Sequence, residues 1–170
     1  VSQIACIEGK NSITLENSEL SGVGEGNRKD GDNYVDLAGI FIYQSMSGDA
    51  DVGTSTFNCK NSDLSIEPES DYYEKIPMFH VTNTKANINL ESTEFDFGSG
   101  ILFDISSQSQ WGNSGSNGGD VNLTASNEKL EGDIIVDSIS SLNFTMKSTT
   151  FEGAVNSTGN TNLVIEKGST

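Results

Sequence analysis

Acidic side chains in two segments are the first groups in this sequence that could do chemistry. Asp49 and Asp51 stand two residues apart, and Asp120 closes a segment rich in glycine and serine. Carboxylate oxygens are ligands that Ca²⁺ prefers, so these three residues are candidate calcium ligands. Asp30 and Asp32 form a similar pair. The spacing lacks the remaining ligands of a defined calcium motif, and acidic loops that hold no metal are the alternative.

The single tryptophan, Trp111, is the second candidate, because an aromatic face with planar amides beside it suits a sugar ring. We predict a ligand-binding group made of this indole, four amides and a phenol: Trp111, Asn113, Asn117, Gln110, Gln44 and Tyr43. The alternative is structural, with Trp111 pinning a glycine-rich loop to the rest of the protein.

Groups able to catalyse a reaction are few. His80 is the only histidine, and it alternates with the apolar Phe79 and Val81, which predicts a solvent-facing position on a strand. A polysaccharide lyase would need a Lys or Arg base beside a calcium cluster. Arg28 is the only arginine, and it lies in a predicted loop instead of on a strand facing carboxylates. We therefore assign no catalytic residue.

A short repeated pattern must position all of these groups. Its copies begin at residues 13, 57, 88, 123 and 144, and a truncated sixth begins at 163. Each copy has apolar residues at its first, third and eighth positions. The columns are Ile13, Phe57, Ile88, Leu123, Phe144 and Leu163; then Leu15, Cys59, Leu90, Ala125, Met146 and Ile165; then Leu20, Leu64, Phe95, Leu130 and Phe151. A spacing of two is the strand period, so the first two columns face inward.

Polar pairs that favour bends separate the second column from the third, so each copy is predicted to be a strand, a corner and a short strand. The pairs are Asn17-Ser18, Asn61-Ser62, Ser92-Thr93 and Ser148-Thr149. A further apolar segment precedes most copies. About three strands per repeat, with no helical period, predict an all-β fold: a single-stranded parallel β-helix, or solenoid, of five to six coils. Within it Cys59 faces the core and Cys6 lies in another strand, which favours two thiols over a disulfide.

Charge and length limit the partners. Against 25 acidic residues there are 9 basic ones, and the net charge of -16 would repel nucleic acid and anionic lipid. No apolar run approaches the roughly 20 residues that would span a membrane. We expect residues 1–170 to form a single β-helix domain, a monomer, and a segment of a longer extracellular or cell-surface protein.

Two insertions, 44–53 and 106–119, both leave the first strand of a coil and return to the second, so they should emerge at one edge. The repeat between them turns tightly at residues 83–85. Two long loops beside a short one predict a cleft along that edge, with Trp111 in its wall.

The three-strand coil, the Asn and Ser corners and the inward apolar stacks resemble the right-handed parallel β-helix of the pectate-lyase type. The segments Gly39 to Gly53, Val81-Thr-Asn-Thr84 and Trp111 to Thr124 look like parts of surface or secreted β-helix proteins of anaerobic bacteria, an adhesin-like group. The resemblance implies a right-handed fold and an extracellular setting, and it implies no particular activity.

Together these features predict a non-catalytic bacterial surface module that is adhesin-like or binds carbohydrate. Its expected partners are a glycan or a host or cell-surface protein, and Ca²⁺ is the candidate cofactor. A polysaccharide lyase or hydrolase that acts on acidic polysaccharide is the alternative, on fold analogy alone.

Overall fold

The computed structural model describes residues 3–26 and 28–170, and all regular structure in those residues is β. The strands are β1 Ala5–Glu8, β2 Ser12–Glu16, β3 Glu19–Gly22, β4 Arg28–Asp30, β5 Asn33–Val35, β6 Ile40–Tyr43, β7 Thr54–Lys60, β8 Asp63–Ile66, β9 Phe79–Thr82, β10 Thr84–Glu91, β11 Glu94–Asp96, β12 Ile101–Ile105, β13 Gly119–Ser126, β14 Lys129–Glu131, β15 Asp133–Val136, β16 Ser141–Lys147, β17 Thr150–Glu152, β18 Val155–Ser157 and β19 Asn160–Ile165. This part of the chain has no helix of the length and apolarity needed to cross a membrane.

Two parallel sheets run through all of the repeats. The first has the order β1-β6-β9-β12-β15-β18, and the second has the order β2-β7-β10-β13-β16-β19. In the second sheet Phe57 lies beside Ile13 and Ile88, and Leu123 lies beside Ile88 and Phe144. The register predicted for the inward columns is therefore confirmed.

The core lies between these sheets and is filled by the inward columns. Phe57, Phe79 and Phe103 are fully buried, and the rings of Phe79 and Phe103 stack with centroids 4.5 Å apart. Burying one such side chain contributes roughly 1.5–3 kcal/mol. Cys59 is 2% exposed in this core, as predicted, and no disulfide joins it to Cys6.

The third side of the stack corrects the predicted architecture. β3, β8 and β11 form one sheet and β14 and β17 form another, while β4 and β5 make an antiparallel hairpin outside the repeat. In the described residues no strand pairing joins β11 to β14. The strands therefore do not close into a solenoid, and the prediction of a right-handed, single-stranded β-helix with about three strands per coil is wrong. The all-β class is confirmed. The fold is a stack of repeats whose equivalent strands form parallel sheets, and two of these sheets run through all of the repeats.

Each corner begins with a polar residue in the left-handed region. The φ angles of Asn17, Asn61, Ser92, Asn127 and Ser148 lie between +48° and +54°. Asparagine tolerates this conformation better than most residues, because its short side chain can bond to nearby backbone. The strand–corner–strand unit predicted for each repeat is therefore present, and it turns the chain at the same point in five repeats.

The outer face of the first sheet is covered, and this corrects the prediction for His80. Its neighbours in register are Phe41 and Asp104, and His80 is only 7% exposed where a solvent-facing side chain was expected. A second apolar cluster of Ala38, Phe41 and Trp111 lies on this face. The segment before β6, which holds Ala38, and the 106–119 insertion, which holds Trp111, therefore cover a sheet face that strand alternation alone would leave exposed to solvent.

Candidate functional site

A cleft of about 650 Å³ crosses the starting ends of five neighbouring strands of the second sheet. The first residue of each strand lies in the lining: Thr54 of β7, Thr84 of β10, Gly119 of β13, Ser141 of β16 and Asn160 of β19. The loops before these strands add Gln44, Val52, Asn83, Ser116 and residues 138–140. We call this the edge cleft. It lies where the two insertions were predicted to flank a short turn.

Most residues that line the edge cleft carry a hydroxyl or an amide group, and the charges in the cleft are paired. Lys85 Nζ lies 3.5 Å from Asp120 Oδ2, and Ser141 Oγ donates to Asp120 Oδ1 at 2.6 Å. Both charged side chains are substantially exposed, so the pair is screened by water. Two aliphatic side chains in the lining face solvent: Val52 is 83% exposed and Ile139 is 40% exposed. The cleft thus offers hydrogen-bonding groups beside apolar surface.

A carboxylate beneath the edge cleft fixes one of its walls. Asp137 accepts hydrogen bonds from the backbone N–H and hydroxyl of Ser107, both at 2.8 Å, and from Ser140 Oγ at 2.5 Å. Burial alone would raise the pKa of Asp137, but these hydrogen bonds lower it. Ser140 Oγ also accepts from the backbone N–H of Gly119 at 3.0 Å, which ties the wall to the start of β13.

Trp111 does not line the edge cleft, because it turns into the second apolar cluster. Its indole Nε1 donates to Asp36 Oδ1 at 2.7 Å, and it is 7% exposed. The Tyr43 ring lies 4.5 Å from the indole and the Arg28 guanidinium lies 4.6 Å above it. Burial raises the pKa of Asp36, while the Trp111 hydrogen bond and the Arg28 charge oppose that rise. These contacts suit a side chain that pins the 106–118 loop.

The amides predicted around Trp111 are dispersed. Asn117 is buried, and its Nδ2 donates to the carbonyls of Gln108 at 3.0 Å and Trp111 at 2.8 Å, so it braces the loop from inside. Asn113 is exposed at the loop tip, while Gln110 is half-buried and accepts from Ser109 Oγ at 3.2 Å. Of the predicted amides, only Gln44 lines the edge cleft.

A second recess, of about 380 Å³, collects several of the remaining predicted residues. Tyr43, Asp49, Gln110 and Trp111 line it together, beside Arg28 and Glu8. Tyr43 donates its hydroxyl to Glu8 Oε2 at 3.0 Å, and burial with this contact raises the pKa of Tyr43 well above its ordinary value. We call this the loop recess. The predicted group is therefore divided, with Gln44 on one side of the 44–53 loop and the aromatic residues on the other.

The calcium candidates are divided in the same way. Asp120 lines the edge cleft, Asp49 lines the loop recess, and Asp51 is exposed on the loop between. Asp49 accepts hydrogen bonds from Ser45 and Ser47, and the Ser47 contact lowers its pKa. Across the described ranges, 3–26 and 28–170, no three His, Cys, Asp or Glu side chains are grouped so as to hold a metal ion.

A column of hydroxyl groups stacks at the corners, one residue after each left-handed position. Ser62 Oγ accepts from the backbone N–H of Ser18 at 3.1 Å, and Ser169 Oγ accepts from that of Thr149 at 3.1 Å. Thr149 Oγ1 accepts from the N–H of Glu128 at 3.2 Å. Each such contact satisfies a corner N–H of the preceding repeat that has no strand partner.

Glu128 interrupts this column with a carboxyl group. Its Oε1 accepts from the backbone N–H of Thr93 at 2.9 Å, as a hydroxyl does elsewhere, and the residue is 5% exposed. Its Oε2 is buried without a hydrogen-bond partner. Burial raises the pKa of Glu128 from 4.5 to about 7, the Thr93 contact opposes the rise, and the charge of Glu91 adds to it.

The interruption coincides with the break in the third column. A cleft of about 710 Å³ opens between β11 and β14, and we call it the split cleft. Its lining is Ser92, Thr93, Glu94, Phe95, Phe97, Gly98, Gly100, Asn127, Glu128, Lys129, Glu131 and Gly132. A carboxyl group lies two carbons further from Cβ than a hydroxyl does. A bond to the same N–H therefore needs more room between corners, which is a physical reason for the split.

No family model, curated protein or solved structure matches this chain. The resemblance to surface β-helix proteins stays a prediction, and function is inferred from the clefts themselves.

Sequence reasoning missed Glu128, although a signal for it was present. Asn127-Glu128 occupies the corner position that carries Asn-Ser, Ser-Thr or an equivalent pair in the other repeats. A long acidic side chain in a column of small hydroxyls breaks the local rule of the repeat, and such breaks concentrate at functional sites. Among the equivalent corner residues, Glu128 is the one that carries no hydroxyl, and this difference is visible in the sequence.

Proposed function

We propose that the protein is a non-catalytic extracellular binding module that takes a neutral saccharide in the edge cleft. The observation that carries this proposal is the cleft across five strand starts, with hydroxyls, amides and exposed aliphatic groups in one lining. Sugars present hydroxyls around rings whose C–H faces are apolar, so they need both kinds of surface. Binding sites of this kind are concave and use a few placed polar groups for orientation.

The electrostatics favour a neutral ligand over an acidic one. Lys85 and Asp120 balance each other within the edge cleft, so the local charge is close to zero. The whole chain carries a net charge of -16, which repels a polyanion such as a uronate polymer. The parallel strands are spaced about 4.8 Å apart, and five strand starts therefore form a row that suits an extended chain.

Exposed apolar residues allow a test that does not disturb the fold. The double variant Val52→Ser, Ile139→Ser removes the two solvent-facing aliphatic groups of the cleft. Met46→Ser is the matched control, because Met46 is 67% exposed on the same 44–53 loop but lies in the loop recess. We expect a glycan array, with and without Ca²⁺, to give neutral glycan hits that Met46→Ser retains. Calorimetry with those glycans should show that the double variant binds them with about tenfold or more lower affinity than the wild type does.

Two outcomes would count against the proposal. Binding that survives in the double variant would place the ligand elsewhere. Unsaturated products or new reducing ends from uronate polymers incubated with the protein would favour the lyase or hydrolase alternative instead.

A further inference from the structure

The split cleft has a buried group that the stack itself does not require. At the equivalent corners a hydroxyl accepts the neighbouring N–H with one oxygen, as Ser62 and Thr149 do. Glu128 does the same with Oε1 and brings a second oxygen, Oε2, which is buried and has no hydrogen-bond partner. An unpartnered buried carboxyl oxygen is costly. The cost is offset when a ligand supplies the missing donor.

The surroundings of Glu128 indicate which donor would fit. Phe95 and Phe97 are half-buried aromatic residues in the same lining. Glu94 and Glu131 add acidic side chains at the rim, and Lys129, the one cation among the described residues of the lining, is already paired with Glu131. Aromatic faces and carboxylates together attract organic cations more than they attract a hydrated metal ion. Acids outnumber cations here, unlike in the edge cleft.

We propose that the split cleft is a second binding site, independent of the edge cleft, that takes a primary ammonium group, with Glu128 Oε2 as the acceptor and Phe95 and Phe97 as aromatic walls. The ammonium group has three N–H donors and fits a single free carboxyl oxygen. Its source is an amino sugar or the side chain of a lysine in a partner protein. The net charge of -16 draws either one toward the surface.

Proton competition gives the site a pH dependence. The pKa of Glu128 is raised to about 7, so its carboxyl is mostly protonated at pH 5 and mostly charged at pH 8. The charged form attracts an ammonium group, so binding should strengthen as pH rises from 5 to about 7, and above that an amino sugar begins to lose its own proton. The other titratable groups around the site are Cys59, Glu91, Glu94, Lys129, Glu131 and Glu152.

Two pairs of probes separate the two sources. Glucosamine and N-acetylglucosamine differ in the sugar ammonium, and Nα-acetyl-lysine amide and its Nε-acetyl derivative differ in the side-chain ammonium. We expect at least one ammonium compound to give saturable NMR shifts at the amides of Thr93 and Glu128 at pH 7, where the Glu128 carboxyl is about half charged and both probe amines are still mostly protonated. The acetylated partner should give none, and affinity should fall about tenfold or more at pH 5, because the charge-assisted hydrogen bond is lost.

The decisive variant is Glu128→Gln, which keeps an acceptor for the Thr93 N–H and removes the charge. We expect it to lose about tenfold or more in affinity. Glu19→Gln is the matched control, because it removes one exposed acid on β3 that does not line the cleft, and it should bind as the wild type does. Melting curves of both variants check that the fold is retained. Equal binding by Glu128→Gln, equal binding of the acetylated probes, or no saturable shift with either ammonium compound would overturn the proposal.

Discussion

The edge cleft and the split cleft are built in opposite ways on the same stack. Insertions of ten or more residues wall the edge cleft, while the strands behind it keep perfect register from β7 to β19. The split cleft needs no insertion, because one residue at a corner departs from the repeat and two strands part. A repeat fold can therefore gain a cavity either by adding loops to a regular edge or by breaking one column.

Electrostatics separate the two clefts as clearly as construction does. The charges in the edge cleft are exposed and paired, whereas the carboxyl of Glu128 is buried and half-satisfied. Exposed charges change stability little, whereas a buried carboxyl that lacks part of its hydrogen bonds lowers stability substantially when it is charged. The effects of substitutions on the free energy of unfolding should therefore differ between the two regions, and four substitutions test that difference.

The largest expected effect comes from Trp111→Ala. The change removes a buried indole and leaves Asp36 without its 2.7 Å hydrogen bond, so we expect the free energy of unfolding to fall by about 3–5 kcal/mol. Hydrogen exchange should speed up in the 106–118 loop, which walls the edge cleft, and stay slow at the amides of β11 and β14. Equal loss of protection at both clefts would mean that they are not separable regions.

Glu128→Gln should have the next largest effect, and its size depends on pH. The folded pKa of Glu128, about 7, lies above its ordinary 4.5, so the native state holds this proton more tightly than the unfolded chain does. The stability of the wild type therefore falls as pH rises from about 4.5 to about 7. A gap of about 2.5 pH units corresponds to about 3 kcal/mol.

The glutamine variant cannot titrate at this position, so chemical denaturation of both proteins across pH isolates the carboxyl. We expect the variant to be the more stable protein at pH 8 by a margin approaching that value, and the two to be about equal at pH 4. A constant difference at all pH values would contradict the buried carboxyl as its source.

Glu128→Thr sharpens the comparison further, because it restores the hydroxyl column. Thr149 shows that a threonine at this position can accept the corner N–H of the preceding repeat, here that of Glu128, while its own strand, β17, pairs with β14. We expect β11 and β14 to come together, with slower hydrogen exchange at Lys129 and Glu131 and a gain of about 1 kcal/mol per new backbone hydrogen bond. Unchanged exchange rates would show that the split has another cause.

Much of the regular structure could be predicted from spacing, because a stack repeats the same requirement at every level. A two-residue period of apolar side chains fixed the inward columns, and the pairing of Phe57 with Ile13 and Ile88 follows from it. A prediction based on the pattern that the repeats share overlooks the one repeat that departs from it. The prediction of closure failed at Glu128, where one side chain of different length changes how neighbouring corners meet.

Coverage of the sheet faces could not be predicted in the same way. Strand alternation correctly places His80 on the outer face of the sheet. Whether that face is exposed to solvent depends on which loops pack against it. Trp111 contacts Tyr43 and Asp36 across 68 and 75 residues, and no local pattern encodes such contacts. The edge cleft was predictable because its loops leave and return at fixed strand ends, whereas the direction in which Trp111 points was not.

Lys85→Gln should have the smallest effect and completes the comparison with Glu128. Its partner Asp120 is 43% exposed and keeps the 2.6 Å hydrogen bond from Ser141, so no charge is left buried and unpaired. We expect the free energy of unfolding to change by less than about 0.5 kcal/mol, with almost no dependence on pH between 5 and 8. Denaturant melts in low and high salt measure this directly. A change as large as that of Glu128→Gln would mean that the edge cleft also shields its charges from water, and a neutral ligand would then no longer be favoured there.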